Sequence, residues 1–352
     1  MPGNLISTEY LTTMTAKVRS LLFTAIFIIV VLFSCKPNPL KVDVSDIDVS
    51  LSVTRLEKLM FGVNEEEFAK NIETIKRDHL PFFDIYSSYV LNIGTMESPD
   101  FNQGLRMFVN DSVFSRVGDS VLLAFKSIDK LEKELTEGFR HFKYYFPNAR
   151  IPNVYTCVSG FTKSVFISDY GVGIGLDKYF GSDCVFYSYL GVPVYKRYNM
   201  NPGKIVPDVF YSMYLSDFVF SDSINYLLAN MVYQGKGLYF TKAMCPETPD
   251  TLIMGYSSKQ LKWCHENEGK MWTYLVERKL LYDNERLTLQ KYIGDSPFTT
   301  TFSSESPGRT GNWLGYRIVE SFMKNNPDIT LNQLLAMNNS QQILAMSKYF
   351  PD

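Results

Sequence analysis

Metal-assisted hydrolysis on a helix needs two imidazoles one turn apart with a carboxylate between them. This chain has three histidines, His79, His141 and His265, and no two of them stand at that spacing. His265-Glu266-Asn267-Glu268-Gly269 begins like such a motif, but Gly269 takes the second histidine's place and offers no ligand. No GxSxG elbow marks a nucleophilic serine, although a triad drawn from distant segments stays open. One carboxylate is out of place. The apolar stripe Leu261, Cys264, Trp272 and Leu275 carries Glu268 where a hydrophobe belongs. A buried charge must be paired or take up a proton, and Arg309 in the loop SPGRTG is the partner the sequence offers. The pair reads either as a structural ion pair or as the remnant of an active-site acid. His265 lies three residues before Glu268, on one face of a helix expected over 257–282. Those two are the candidates for a hydrolase with an unrecognised site. No residue is assigned as catalytic or metal-binding, and no cofactor is expected.

A second chemistry sits at the N-terminus. Leu21 to Phe33 is an uncharged run of 13 residues, with Lys17 and Arg19 before it and Ser34, Cys35 and Lys36 after it. Spanning a bilayer takes roughly 20 residues. A basic flank, a short apolar core and a small residue are the grammar of an export signal. LFSC resembles a bacterial lipobox, which implies acylation of the Cys35 thiol and cleavage before it. Two or three acyl chains anchor stably where one is marginal. Glu9 is an acid ahead of the basic region, which points to Met14 as the true start, giving MTAKVRS. Signal peptide is therefore expected over 1–34 and a lipidated tether over 35–45, in which the proline-containing KPNPLKVDVS follows Cys35. No acidic sorting signal follows Cys35, so the periplasmic face of the outer membrane is the expected address, with the inner membrane as the alternative.

The elements that must position these groups are mostly helices. Val44 to Val53 alternates like a strand. A helical block follows from about Asn64 to Phe146, in which Leu131, Leu135, Phe139, Phe142 and Phe146 form an amphipathic stripe. Residues 153–190 turn β-rich through VYTCV, KSVFIS and GVGIGL. Helices return over about 205–219, 222–244, 257–282 and 312–325. The expected fold class is α+β, with a small mixed sheet at 153–190. One large globular domain over 46–352 is expected, dividing at most into a helical lobe 46–150 and a second lobe 151–352. The glycines of Gly171–Gly181 lack phosphate-loop spacing and fit a strand under close backbone approach.

Composition bounds the rest. With 352 residues, 35 Lys+Arg against 37 Asp+Glu and a net charge of -2, nothing marks a nucleic-acid partner. Aromatic residues make up 15% and demand a large core or contact surface. Ten tyrosines lie between Tyr179 and Tyr239; they read as core lining with hydroxyls on polar partners, or as a ligand groove. Cys157, Cys184, Cys245 and Cys264 contain no CxxC, and their pairing is not legible.

Four stretches carry a resemblance: IGLDKYFG (174–181), MVYQGKGLYF (231–240), GYSSKQLKWCHENEGKMW (255–272) and SPGRTGNWLGYRIVESFM (306–323). With the lipobox they resemble the gliding-motility lipoprotein GldB family of Bacteroidetes, itself similar to predicted zinc-dependent proteases. The resemblance implies a zincin-like helical domain beside a small sheet, partners in the gliding or linked secretion machinery, and a membrane anchor at Cys35. The protease relatives carry HExxH on the helix before MVYQGK, where this chain has PDVFYSMYLSDF (207–218), without a histidine. Their acidic third ligand falls at Gln234, a poor zinc ligand. The expectation is a non-catalytic, lipid-anchored envelope protein. The alternatives are an envelope hydrolase and a periplasmic binding module for peptidoglycan or another lipoprotein.

Overall fold

The computed structural model describes residues 38–221 and 225–351. The chain divides into two units, Met1–Val42 and Asp43–Asp352. In the first, described over 38–42, Asn38 closes a turn by accepting the Lys41 N–H on its carbonyl and the Leu40 N–H on its side chain, both at 3.0 Å. Cys35 and the lipobox lie outside the described residues.

The second unit opens with a correction. The strand expected over Val44–Val53 is reduced to Val53–Arg55 (β1). The Asp43 carboxylate accepts the Ser45 N–H at 3.0 Å, and the Val44 carbonyl accepts the Ile47 N–H at 3.1 Å. These local turns compete with extension. The helical block is present: Leu56–Met60 (α1), Glu65–Asp78 (α2), Leu80–Ile85 (α3), Phe101–Asn110 (α4), Ser112–Ala124 (α5) and Asp129–Tyr145 (α6). α2 starts where the Asn64 side chain accepts the Glu67 N–H, with three glutamates in its first turn and Lys76 and Arg77 in its last. α6 buries the expected stripe of Leu131, Leu135, Phe139 and Phe142.

The sheet is mixed, as expected. Val154–Cys157 (β2), Val165–Ser168 (β3) and Gly171–Gly175 (β4) join β1 in the order β1-β2-β4-β3. β2 runs parallel to β1 and β4, and β3 is antiparallel to β4. The GVGIG glycines do what a strand under close approach requires. A Cβ on Gly173 would meet the Phe166 ring at 2.0 Å, and one on Gly175 would meet the Lys163 carbonyl at 2.2 Å. Phe166 lies over the sheet and stacks on Phe82, which stacks on Tyr155 at 3.8 Å. Part of the high aromatic share goes into this pile.

Past the sheet come Val185–Tyr189 (α7), Val194–Arg197 (α8), Ile205–Asp217 (α9), Leu227–Met244 (α10) and Asp250–Met254 (α11). Ser258–Glu266 (α12), Glu268–Glu277 (α13), Arg286–Ile293 (α14), Thr310–Asn325 (α15), Leu331–Ala336 (α16) and Ser340–Ser347 (α17) follow. The single helix expected over 257–282 is broken at Asn267, whose side-chain amide donates to the Trp263 carbonyl at 2.9 Å. α10 and α15 form the centre of this half. They cross at Gly235 and Gly315, where a Cβ on Gly315 would lie 1.7 Å from the Met231 carbonyl oxygen. Trp313, Leu314, Ile318 and Phe322 are buried around that crossing. Among the described residues no helix is long and apolar enough to cross a membrane. The four cysteines are free thiols; burial pushes Cys157 and Cys264 up and Cys245 up to about 12, so these three stay protonated and poorly nucleophilic.

Candidate functional site

A cavity of about 710 Å³ opens between the start of α9, the 192–200 segment, the 253–260 turn and the loop leading into α15. α9 begins at Ile205, and Pro207 fits its first turn because the N–H that proline lacks has no helical acceptor there. One turn of α9 presents Asp208 and Tyr211 to the cavity. Asp208 is fully engaged: Lys204 Nζ reaches Oδ1 at 3.0 Å and the Tyr179 hydroxyl donates to Oδ2 at 3.0 Å. Lys204, itself buried, also donates to the Leu252 carbonyl at 2.9 Å. The Tyr211 hydroxyl donates to Gln234 Oε1 on α10. Burial raises the Tyr211 phenol and outweighs the opposing pull of Arg309, so the hydroxyl keeps its proton and remains a donor.

The opposite wall is the N-terminus of α15. Arg309 stands at φ 57° and ψ 33°, a left-handed conformation that costs a non-glycine residue about 1 kcal/mol or more. Tyr256 holds it there, its hydroxyl 2.8 Å from the Gly308 carbonyl and 2.9 Å from that of Arg309. The guanidinium pairs with Asp295 at 3.4 Å and lies 5.9 Å from the Tyr256 ring centre.

The four candidate positions separate. Arg309 lines the cavity, and Gln234 reaches it through Tyr211. Glu268 and His265 do not line it. The expected Glu268–Arg309 pair is not formed: Glu268 Oε1 accepts from Arg317 Nε at 2.9 Å and from the Tyr349 hydroxyl at 2.8 Å. Glu268 is still a largely buried, paired carboxylate, as its place in the stripe implies, with 12% of its side chain exposed. Its partner comes from one face of α15, whereas Arg309 turns away at the start of that helix. His265 is exposed and meets the Trp313 ring edge-on at 5.3 Å. The break at Asn267 puts His265 and Glu268 on different helices.

Sequence reasoning passed over Asp208, Lys204, Asn199 and Asn312. The tyrosine cluster was the signal available. Tyr179, Tyr195, Tyr198 and Tyr211 line the cavity, while Tyr187 and Tyr214 are core residues with hydroxyls on the Asp177 and Tyr233 carbonyls. Among the described residues, a zinc ion of the kind the resemblance to proteases would imply finds no fitting donor set. Pro207 has no donor, Tyr211 and Gln234 are bonded to each other, and Asp208 is held by a cation and a phenol. Among the described residues no three His, Cys, Asp or Glu side chains converge in a metal-binding group.

Compared with curated proteins and with solved structures, the chain has no significant match to either. A match covering nearly all of the described fold comes from one family, and its span contains the four stretches on α10, α12–α13, α15 and the end of the sheet. The chain belongs to the GldB family: residues 37–351 match the family model described as gliding motility protein GldB, which associates the chain with gliding motility.

Proposed function

We propose that this protein is a non-catalytic component of the envelope machinery behind gliding and its linked secretion. Acyl chains on Cys35 hold it at the periplasmic face of the outer membrane, and its cavity binds rather than cleaves. The family match supports the motility association. The observation that supports the non-catalytic reading is the state of α9. Its polar groups are spent on each other and on α10 through the Tyr211–Gln234 bond and the Lys204–Asp208–Tyr179 cluster.

Elemental mass spectrometry of the full-length protein, purified in detergent without a histidine tag, tests the catalytic half. Less than stoichiometric zinc is expected, and one zinc per chain overturns the reading. Metabolic labelling with palmitate tests the anchor. The label is expected on the wild-type chain and absent from Cys35→Ala, and a labelled Cys35→Ala overturns the anchoring.

A further inference from the structure

Two of the residues lining this cavity carry a buried amide oxygen with no donor to accept from. Asn312, in the first turn of α15, is 9% exposed and lines the cavity, and its Oδ1 has no hydrogen-bond partner. Asn199 Oδ1, on the facing wall, is likewise buried and unpartnered, while its Nδ2 donates to the Gly255 carbonyl at 3.1 Å. An unmet buried acceptor destabilises the empty protein, so such a group is informative about what fills the space. The Asn199 amide lies beside a cation, and Asn312 follows that cation's residue by three positions at the start of α15. A Cβ built on Gly255 would sit 3.0 Å from both amide atoms of Asn199 and 3.1 Å from Arg309 Nη2, so these groups share one corner.

That corner also favours an anion. The Thr310 and Gly311 N–H groups precede the first bond of α15, a helix of 16 residues, which the Asn312 N–H makes to the Arg309 carbonyl at 2.9 Å, and they carry the positive end of its dipole. The Arg309 fork is aimed by a backbone that Tyr256 fixes. Its present partners are the Met254 carbonyl, 3.5 Å from Nη2, and Asp295, more than half exposed and 3.4 Å from Nε, an ion pair of little intrinsic strength. Lys196 Nζ lies 3.9 Å from the other Asp295 oxygen, so that carboxylate keeps a cation when Arg309 turns to a ligand. Around the whole cavity five lysine and arginine side chains face three carboxylates.

The ligand must therefore bring a negative group to Arg309 and N–H or O–H donors within a few ångströms of it. Sulfate or chloride lacks the donors, and a neutral chain lacks the charge. We propose that the cavity captures the free carboxylate end of a peptide chain. Arg309 and the start of α15 receive the carboxylate, and Asn312 and Asn199 accept the amide N–H groups that follow it. This rests on the reading of the cavity as a non-cleaving binding site.

The test is titration of the full-length protein in detergent with three probes, followed by calorimetry and ligand-observed NMR: N-acetyl-trialanine, its C-terminal carboxamide, and N-acetylglucosamine. The free acid is expected to bind about 10- to 100-fold more tightly than the carboxamide. Arg309→Gly suits the positive φ and so keeps the helix start; it is expected to bring the acid down to the carboxamide's affinity. Asn312→Ala should weaken both peptides about 10-fold. Equal binding of acid and carboxamide overturns the carboxylate site and leaves the non-cleaving reading untouched. Cleavage of the peptides overturns that reading while leaving the carboxylate preference standing. Binding of the saccharide alone, or of no probe, overturns the proposal.

Discussion

The Tyr211 hydroxyl donates to Gln234 Oε1 and so joins α9 to α10 beside the cavity. Burial raises that phenol above the usual tyrosine range, so the hydroxyl remains a donor through neutral pH and into the alkaline range. Tyr211→Phe retains the ring beside Tyr214, 6.3 Å between centres, and removes only the donor. The expected loss is about 1 kcal/mol, with up to about 3 if Gln234 is left without a replacement partner. A urea midpoint that falls while the slope is unchanged is the outcome to look for.

Glu268 and Arg317 carry the next prediction. Glu268→Ala removes the acceptor from both Arg317 and Tyr349, so α13, α15 and the C-terminal segment lose a common tie. Arg317 keeps Glu320 as a partner and is not stranded, which holds the cost below that of breaking an isolated buried pair. About 2 kcal/mol is expected for Glu268→Ala. A double-mutant cycle with Arg317→Ala should then give a coupling energy clearly above zero. Additive effects would show that the pair contributes no mutual stability.

Lys236 gives a pH dependence. Its ammonium is buried on α10 and donates to the Leu335 and Met337 carbonyls at 3.1 and 2.9 Å, and burial lowers its pKa from 10.5 to about 8. The folded chain releases this proton near pH 8 and the unfolded chain only near 10.5, so the unfolded chain binds more protons in between. Stability from this group therefore rises with pH across that window, by about 3 kcal/mol in full. The buried thiols and phenols, with raised pKa values, act in the opposite sense on the alkaline side. Comparison with Lys236→Met cancels them. Between pH 7.5 and 9.5 the wild type should gain about 2 kcal/mol relative to that variant, measured by chemical denaturation. A constant difference across this range would show that the lysine is not desolvated.

What was legible followed the range of the interaction. The α6 stripe and the strands β2 to β4 are written in residues two to four apart, and they fold as the pattern reads. β1 is only three residues long because its partner, β2, lies about a hundred residues away and local turns claim the residues before it. The break at Asn267 turns on one side-chain amide reaching back four residues, which hydrophobic periodicity does not register. The stripe marked Glu268 as a buried charge, but the partner read from the sequence, Arg309, stands before the start of α15, and the fold supplies Arg317 eight positions on. The cavity was the least legible. Its polar groups come from segments between Ser164 and Trp313, and Asn199 and Asn312 are distinguished only by what they fail to touch once folded.

The contact at Gly235 and Gly315 has a mechanical consequence. With the carbonyl of Met231 pressed against the Gly315 backbone, α10 and α15 meet as two beams joined without a gasket. No side chain between them can repack to let one slide or roll over the other. The jaw formed by Arg309 and Asn312 is thus set against the Gln234 side of the cavity as soon as the chain has folded. Adjustment to the girth of whatever enters falls to the other jaw, the stretch around Val194 and Tyr198, which is built from one-turn helices and exposed side chains.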